Sequence, residues 1–200
     1  MWIKSCCVSE VIFVVFSLII LMTRGYTQKK HAELREVSFR EAVPLKYPEH
    51  IGLVTSSSSK GKMNVMTVGW YMIAGMDPPK FAISIGKSRY TYGLITETKE
   101  FVLAYPTEDM GKEILYCGTH TGREVDKFKE TKLAPIEGKS VKAPLIKECK
   151  VNFECKVIGT MDAGSHTVFL GEILHSWVNP ELKEKRRIYN LGRRIFKGLP

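Results

Sequence analysis

The chain has 200 residues, of which 44% are hydrophobic, 26% charged and 10% aromatic. Those proportions suit one folded domain with a real core and exclude a disordered chain. The formal charge is +9, but seven Lys or Arg against one Glu lie between Lys183 and Pro200, so +6 of it sits there; the body is nearly balanced, which argues against a nucleic-acid-binding domain and for a solvated basic segment.

In chain order, the first feature is the run VIFVVFSLIILM, Val11 to Met22, with Ser17 its one polar member. A membrane-spanning helix needs about 20 apolar residues, so the run is short for that purpose. With Lys4 ahead of it, it resembles the core of a signal peptide, yet no small-x-small cleavage site follows. An export signal, an amino-terminal anchor and a true start at Met22 all fit. In each case residues 1–21 are set apart from the fold and residues 22–43 form an extension. The expected location is cytoplasmic, with export or anchoring through residues 8–22 as the alternative.

IGLVTS reads as a buried strand, and SSSSKGK as the turn after it. MNVMTVGWYMIA is a long β-prone run, ended by MDPP because two prolines cannot continue a central strand. KFAISIG is the next strand and TYGLITETKE a short helix, with Tyr90, Leu94 and Ile95 on one side. FVLAYP is a strand; EDMGKEILYCG and REVDKFKET read as short helices. In CKVNFECKV, Cys149, Val151, Phe153, Cys155 and Val157 alternate with polar residues, as in a strand with one face inside and one wet. MDAGS supplies a turn. HTVFLGEILHSWV is the last long strand, with Gly171 as a bulge or close approach. Six strands with short connections and short helices predict a mainly β fold, an antiparallel barrel with helical inserts.

Five cysteines, Cys6, Cys7, Cys117, Cys149 and Cys155, form no dense framework. Cys149 and Cys155, on one face of one strand, would stand roughly 20 Å apart, too far to pair. Reduced thiols in a reducing compartment are expected. Cys117 and His120 form one Cys-x-x-His pair, half of what a closed zinc site requires, and no metal is expected. There is no G-x-G-x-x-G, no complete P-loop and no G-x-S-x-G.

The densest chemistry lies in SIGKSRYTYGLI, Ser84 to Ile95. Lys87, Ser88, Arg89 and Thr91 crowd where a strand hands over to a helix. A helix amino end presents unpaired N–H groups and partial positive charge, so cations and hydroxyls placed there complete an anion site, most simply for phosphate. The same residues also suit a helix cap flanked by solvated cations.

GKMNVMTVGW, DPPKFAISIGKSRYTYGLI, EFVLAYPT, TGREVDKF and GSHTVFLGEIL occur in that order. Together they resemble the flavin reductase-like, FMN-binding split-barrel family, especially its flavoredoxin-like branch. The resemblance implies a six-stranded antiparallel split β-barrel of Greek-key type over residues 44–180, followed by a basic tail over 181–200. It implies a homodimer with FMN near the interface. It assigns Asn64, Met66, Thr67 and Trp70 to the flavin and Ser84, Lys87, Arg89, Thr91 and Tyr92 to the ribityl phosphate. It sets Arg123, Asp126 and Lys127 at the site or the interface, with a surface ion-pair cluster as the alternative for these three. Thr121 and Glu124 stand where the family usually has Ser and Asp. His166 matches a histidine near flavin and nicotinamide.

The implied activity is an FMN-dependent oxidoreductase in which NADH or NADPH passes hydride to flavin N5. One alternative is a flavoredoxin-like electron carrier fed by a redox protein such as a ferredoxin, docked on Lys183–Lys197. Another is a non-redox binding module on the same barrel. Neither nucleic acid nor a membrane is an expected partner.

Overall fold

A computed structural model of the chain describes residues 33–199. The apolar run and the start at Met22 lie outside the described residues. The chain divides after Phe39, and the sheets and the helices packed on them lie in the unit from Arg40 onward. Among the described residues, no helix is long and apolar enough to cross a membrane.

Seven strands form one antiparallel sheet: β1 (Gly52–Ser57), β2 (Met63–Val68), β3 (Tyr71–Met76), β4 (Pro79–Gly86), β5 (Glu100–Tyr105), β6 (Val151–Ala163) and β7 (His166–Val178). Their order in space is β2-β1-β5-β6-β7-β4-β3. Helix α1 (Tyr90–Thr98) joins β4 to β5, and α2 (Gly111–Thr119) and α3 (Lys127–Thr131) follow β5. The mainly β, antiparallel architecture expected from the sequence is the one that forms, with seven strands in place of six. The difference is a break at Gly69–Trp70, which divides MNVMTVGWYMIA into β2 and β3. These two strands lie at opposite edges of the sheet although two residues join them. The sheet must therefore curl until its edges meet at that link, which makes it a barrel split along one side.

Both faces of the central strands are covered. Val54, Phe81, Ile83, Phe101, Leu103 and Phe169 belong to one core cluster. Leu53, Val65, Ala104, Ile114, Cys117 and Phe128 belong to another, which packs α2 and α3 on the sheet. Strand β1 is consequently buried at every position, and so its sequence reads as a continuous apolar and hydroxyl run without alternation. Gly171 marks a register shift between β7 and β6. A Cβ there would lie 2.5 Å from Cζ of Phe101, a fully buried ring.

One expectation is corrected. The face of β6 that carries Asn152 and Glu154 is buried, not wet. The segment between α3 and β6 folds over it. The Glu154 carboxylate accepts backbone N–H groups of Lys139 (3.0 Å), Ser140 (2.7 Å) and Val141 (3.0 Å) and the Trp177 indole (2.7 Å). Burial pushes its pKa up, but these four donors outweigh burial and leave it below the ordinary carboxylate value. Asn152 accepts from the backbone N–H of Ile146 and donates to its carbonyl. An alternating pattern reports the strand, not what later packs on its polar side.

The carboxyl-terminal residues, read as a basic tail, build a second small sheet. Glu49–His50 pairs with Ile188–Asn190, which pairs with Phe196–Gly198. Ile188 is buried in the cluster beneath α2. Arg187 donates to the Tyr71 hydroxyl at 2.8 Å, and its guanidinium lies 4.2 Å from the Tyr105 ring centroid.

Gly171→Ala is expected to lower stability by roughly 1–3 kcal/mol through overpacking against Phe101, read as a lower urea midpoint at unchanged slope. Glu154→Gln sets an NH2 group against backbone donors and should cost about 2 kcal/mol at neutral pH. Because the folded pKa of Glu154 is depressed, its stabilisation is present above the ordinary carboxylate range and lost as pH falls through the folded value. Unfolding midpoints followed from neutral to acid pH should therefore fall less steeply in Glu154→Gln than in the wild type.

Candidate functional site

The split is also where the conspicuous side chains meet. Two clefts of about 340 and 280 Å³ open beside it. Both are lined by Met66, Arg89 and Gly118, so they form one trench. A larger open depression of about 760 Å³, between the β1–β2 turn and residues 135–144, gathers none of the residues singled out in the sequence.

The first cleft is polar. Helix α1 opens onto it with Arg89 as N-cap, and no side chain caps the helix. The cap alternative read from the sequence is thereby removed, and the helix end keeps donors available for an anion. Thr91, in the first turn, is buried and accepts a 2.9 Å hydrogen bond from Nδ2 of Asn64. Asn64 Oδ1 is buried without a partner. It faces Gly122, where a Cβ would come within 2.1 Å of it. The orphaned oxygen and the bare glycine together mark a close approach at the cleft wall.

Lys127 lies at the floor of this cleft, 5% exposed. Its Nζ donates to the carbonyls of Val65 (2.9 Å) and Cys117 (2.8 Å). The first belongs to edge strand β2 and the second to the last turn of α2, so one ammonium ties strand to helix. Among the described residues it has no carboxylate partner. An ammonium carries three N–H groups, and two carbonyls leave one to spare. Burial holds its pKa below the usual lysine value; Cys117 pulls it up and the charge of Arg89 pushes it down. Burial in turn pushes the Cys117 thiol up to about 12, so that sulfur is an inert neighbour. At the rim, Arg123 donates to the Ser88 carbonyl at 3.2 Å and lies over the Tyr90 ring.

The second cleft brings the Trp70 and His166 rings together. Trp70, at the split, is 52% exposed and stands 4.9 Å from the His166 ring, centroid to centroid. His166 opens β7 opposite Gly86; its Nδ1 is 2.9 Å from Ser165 Oγ. Met66, Thr67, Ser84 and Gly86 complete the walls. Glu49 closes one side, where a Cβ on Gly69 would lie 2.8 Å from its carboxylate.

Of the residues singled out in the sequence, Met66, Thr67, Trp70, Ser84, Arg89, Thr91, Lys127 and His166 line this trench, with Asn64 just behind its wall. Thr67 also donates to the Ile114 carbonyl at 2.6 Å and so fastens β2 to α2. Three residues stand elsewhere. Asp126 caps α3, accepting from the Lys129 backbone N–H at 3.2 Å. Lys87 is ion-paired with Asp162 at 2.8 Å on the β6–β7 hairpin. Tyr92 packs on Phe169 in the barrel core, 5.9 Å between centroids. Sequence reasoning missed Gly118 and Glu49. A glycine in the last turn of a helix was the only signal for Gly118, and nothing local distinguished Glu49.

The profile of the flavin reductase like domain family matches residues 45–197. The chain belongs to that family. An uncharacterised protein of Archaeoglobus fulgidus is 42% identical over 129 residues, 64% of this chain and 72% of that protein. The flavoredoxin of Methanosarcina acetivorans superposes with a TM-score of 0.75 at 26% identity, over 84% of this chain and 92% of its own. The flavoredoxin of Desulfovibrio vulgaris gives 0.70 at 26% identity, over 86% and 93%.

The depressed pKa of Lys127 has a measurable sign. Between its folded value and the ordinary lysine value of about 10.4, the unfolded state holds more protons, so this group makes stability rise with pH across that window. Lys127→Met should remove that rise, as judged by urea midpoints of both proteins in mildly and strongly alkaline buffer.

Proposed function

We propose that the protein is an FMN-binding oxidoreductase that accepts hydride from NADH or NADPH. One observation carries the reading: an uncapped, cation-rich helix end opens directly into an aromatic slot, matching the phosphate and the ring of one flavin mononucleotide. The residues fit the group. The amino end of α1, Arg89 and the spare N–H of Lys127 would hold the phosphate. Met66 and Trp70 would cover the ring, and Ser84 and the backbone by Gly69 would meet its polar edge.

Bound there, a flavin would supply the hydride-accepting redox chemistry. The chain's own part is placement and charge. Trp70 and Glu49 limit water on one side of the slot. His166, oriented by Ser165 and tilted against the Trp70 ring, presents Nε2 beside Gly86, where it could donate a hydrogen bond to a bound flavin or nicotinamide.

A homodimer belongs to the same proposal. The edge strand β3 exposes Met72 (61%), Ile73 (60%) and Met76 (78%), and an apolar hollow of about 290 Å³ runs beside it from Trp70 to Met161. Exposed apolar surface on an unpaired sheet edge favours a second copy, and that copy would close the open side of the flavin slot.

An electron carrier is the second reading, favoured by the likeness to the two flavoredoxins. One spectrum separates the readings. Purified protein soaked in FMN should show flavin bands that bleach with anaerobic NADH or NADPH. Bands that persist until a reduced redox protein is added would support the carrier. A protein that stays colourless sinks both and leaves a non-redox binding module. Lys127→Met should weaken FMN binding about ten- to a hundredfold, measured by flavin fluorescence quenching.

A further inference from the structure

Among the described residues that line the second cleft, Glu49 is the one carboxylate; Arg89 and the titratable His166 are the other groups there able to carry charge. A carboxylate beside an anion-binding trench repels any anion that enters it, so Glu49 lowers affinity unless its charge acts on the ligand in some other way. The fold holds it in place. Glu49 pairs across the small sheet with Asn190. Asn190 Nδ2 donates to Glu49 Oε1 at 3.4 Å, while Asn190 Oδ1 accepts from the Gly192 N–H at 2.9 Å. Residue 69 is glycine, and a Cβ there would lie 2.8 Å from Glu49 Oε1. The carboxylate therefore stands directly against the Gly69–Trp70 link.

Glu49 also forms an ion pair with Lys46. The Glu49 side chain is 16% exposed and that of Lys46 37%, and of the two only Glu49 lines the cleft. The pair is thus oriented, with its negative end toward the slot and its positive end outside it. Water screens the outer charge more than the inner one, so this side of the slot carries a net negative field. It is the side on which the backbone by Gly69 would meet the polar edge of a flavin ring.

We infer that Glu49 sets the reduction potential of a flavin in this slot, holding it low by opposing the negative charge that reduction places on the ring. The inference rests on the flavin reading of the trench. It adds a residue that acts on the ring through its field, without a bond to it. Hydride from a dihydronicotinamide is one proton and two electrons. Its transfer adds one negative charge to the neutral oxidised ring and leaves one positive charge on the nicotinamide that gave it. The added charge gathers at the polar edge of the ring. A nearby carboxylate in a partly dry slot raises the energy of that charged state and leaves the neutral oxidised ring almost unaffected. Glu49 thereby discriminates between two states of one ligand, which the apolar contacts of Met66 and Trp70 do not.

The test uses the full chain loaded with FMN and equilibrated anaerobically with a reference dye of known potential. Glu49→Gln keeps the shape of the side chain and the oxygen to which Asn190 donates, and removes the charge. Its preference for reduced over oxidised FMN should rise about tenfold over the wild type, which raises the potential by about 30 mV for a two-electron couple. Lys46→Met removes the compensating cation instead and should move the potential the opposite way. Should Glu49→Gln fail to fold, the fall in potential of Lys46→Met carries the test by itself. A residue that only fastens the small sheet would shift the thermal midpoint of the variants and leave the potential where it was. An unmoved potential or a shift of the same sign in both variants would overturn the inference. So would equal tightening of oxidised and reduced FMN in Glu49→Gln, which would place the carboxylate at the phosphate and not at the ring. A wild-type chain that takes up no FMN overturns the flavin reading, and the inference with it; bound FMN whose potential ignores both changes overturns the inference alone.

Discussion

The break at Gly69–Trp70 governs the rest of the architecture. Had the run from Met63 to Met76 continued as one strand, β2 and β3 would be a single edge and the trench would not exist. Instead the chain leaves one edge of the sheet and joins the other within two residues. The carboxylate of Glu49 occupies the space a side chain on Gly69 would need. The Trp70 carbonyl accepts from Ser84 N–H at 2.8 Å, which draws the new strand onto β4. The edges meet only there, and the surfaces they cannot pair become the walls of the cleft. Edge strands usually need protection; here α2, α3 and Lys127 cover the β2 edge, while β3 is left apolar and open.

Two buried charges show how the scaffold and the site differ. Glu154 and Lys127 are both held by backbone dipoles, with no ion of opposite sign among the described residues. A buried charge is tolerated when its hydrogen-bonding capacity is used. Glu154 meets that condition, with three backbone N–H groups and an indole on its two oxygens. It locks the 139–141 segment onto β6 and has nothing left for a ligand. Lys127 falls one acceptor short, and it does so at the floor of a cleft with Arg89 nearby. Two cations near each other in a partly dry space lower stability until an anion arrives. The same chemistry of burial yields a fastener in one place and a binding group in the other, and the count of partners decides which.

Much of the fold was legible locally. Alternation in CKVNFECKV, the prolines of MDPP and the turn in MDAGS each mark an element that formed. Gly171 announced a close approach before its neighbour, Phe101, could be named. The site was legible in outline, through Arg89, Thr91 and the spaced motifs that resemble the family. What the sequence did not carry was the surroundings of individual charges. Lys87 and Arg89 are two residues apart and chemically alike, yet one pairs with Asp162 on a distant hairpin and the other faces the trench. Asn152 and Glu154 read as wet because the pattern that places them on β6 does not show that the preceding segment folds back over them.

By itself, the sequence determined the strand and helix character of its segments, since side-chain periodicity and Gly or Pro punctuation act over a few residues. It also determined that basic residues would be gathered at the carboxyl end and at the start of α1. Tertiary structure alone decided which of those cations are neutralised, which are buried and which stay free. It made Arg187 a clamp, Lys185 and Arg186 surface pairs, and Arg193 and Arg194 the exposed tip of a strained turn. The reason is physical: the state of a charge depends on the solvent and dipoles within a few ångströms, and those come from chain segments that only folding brings together.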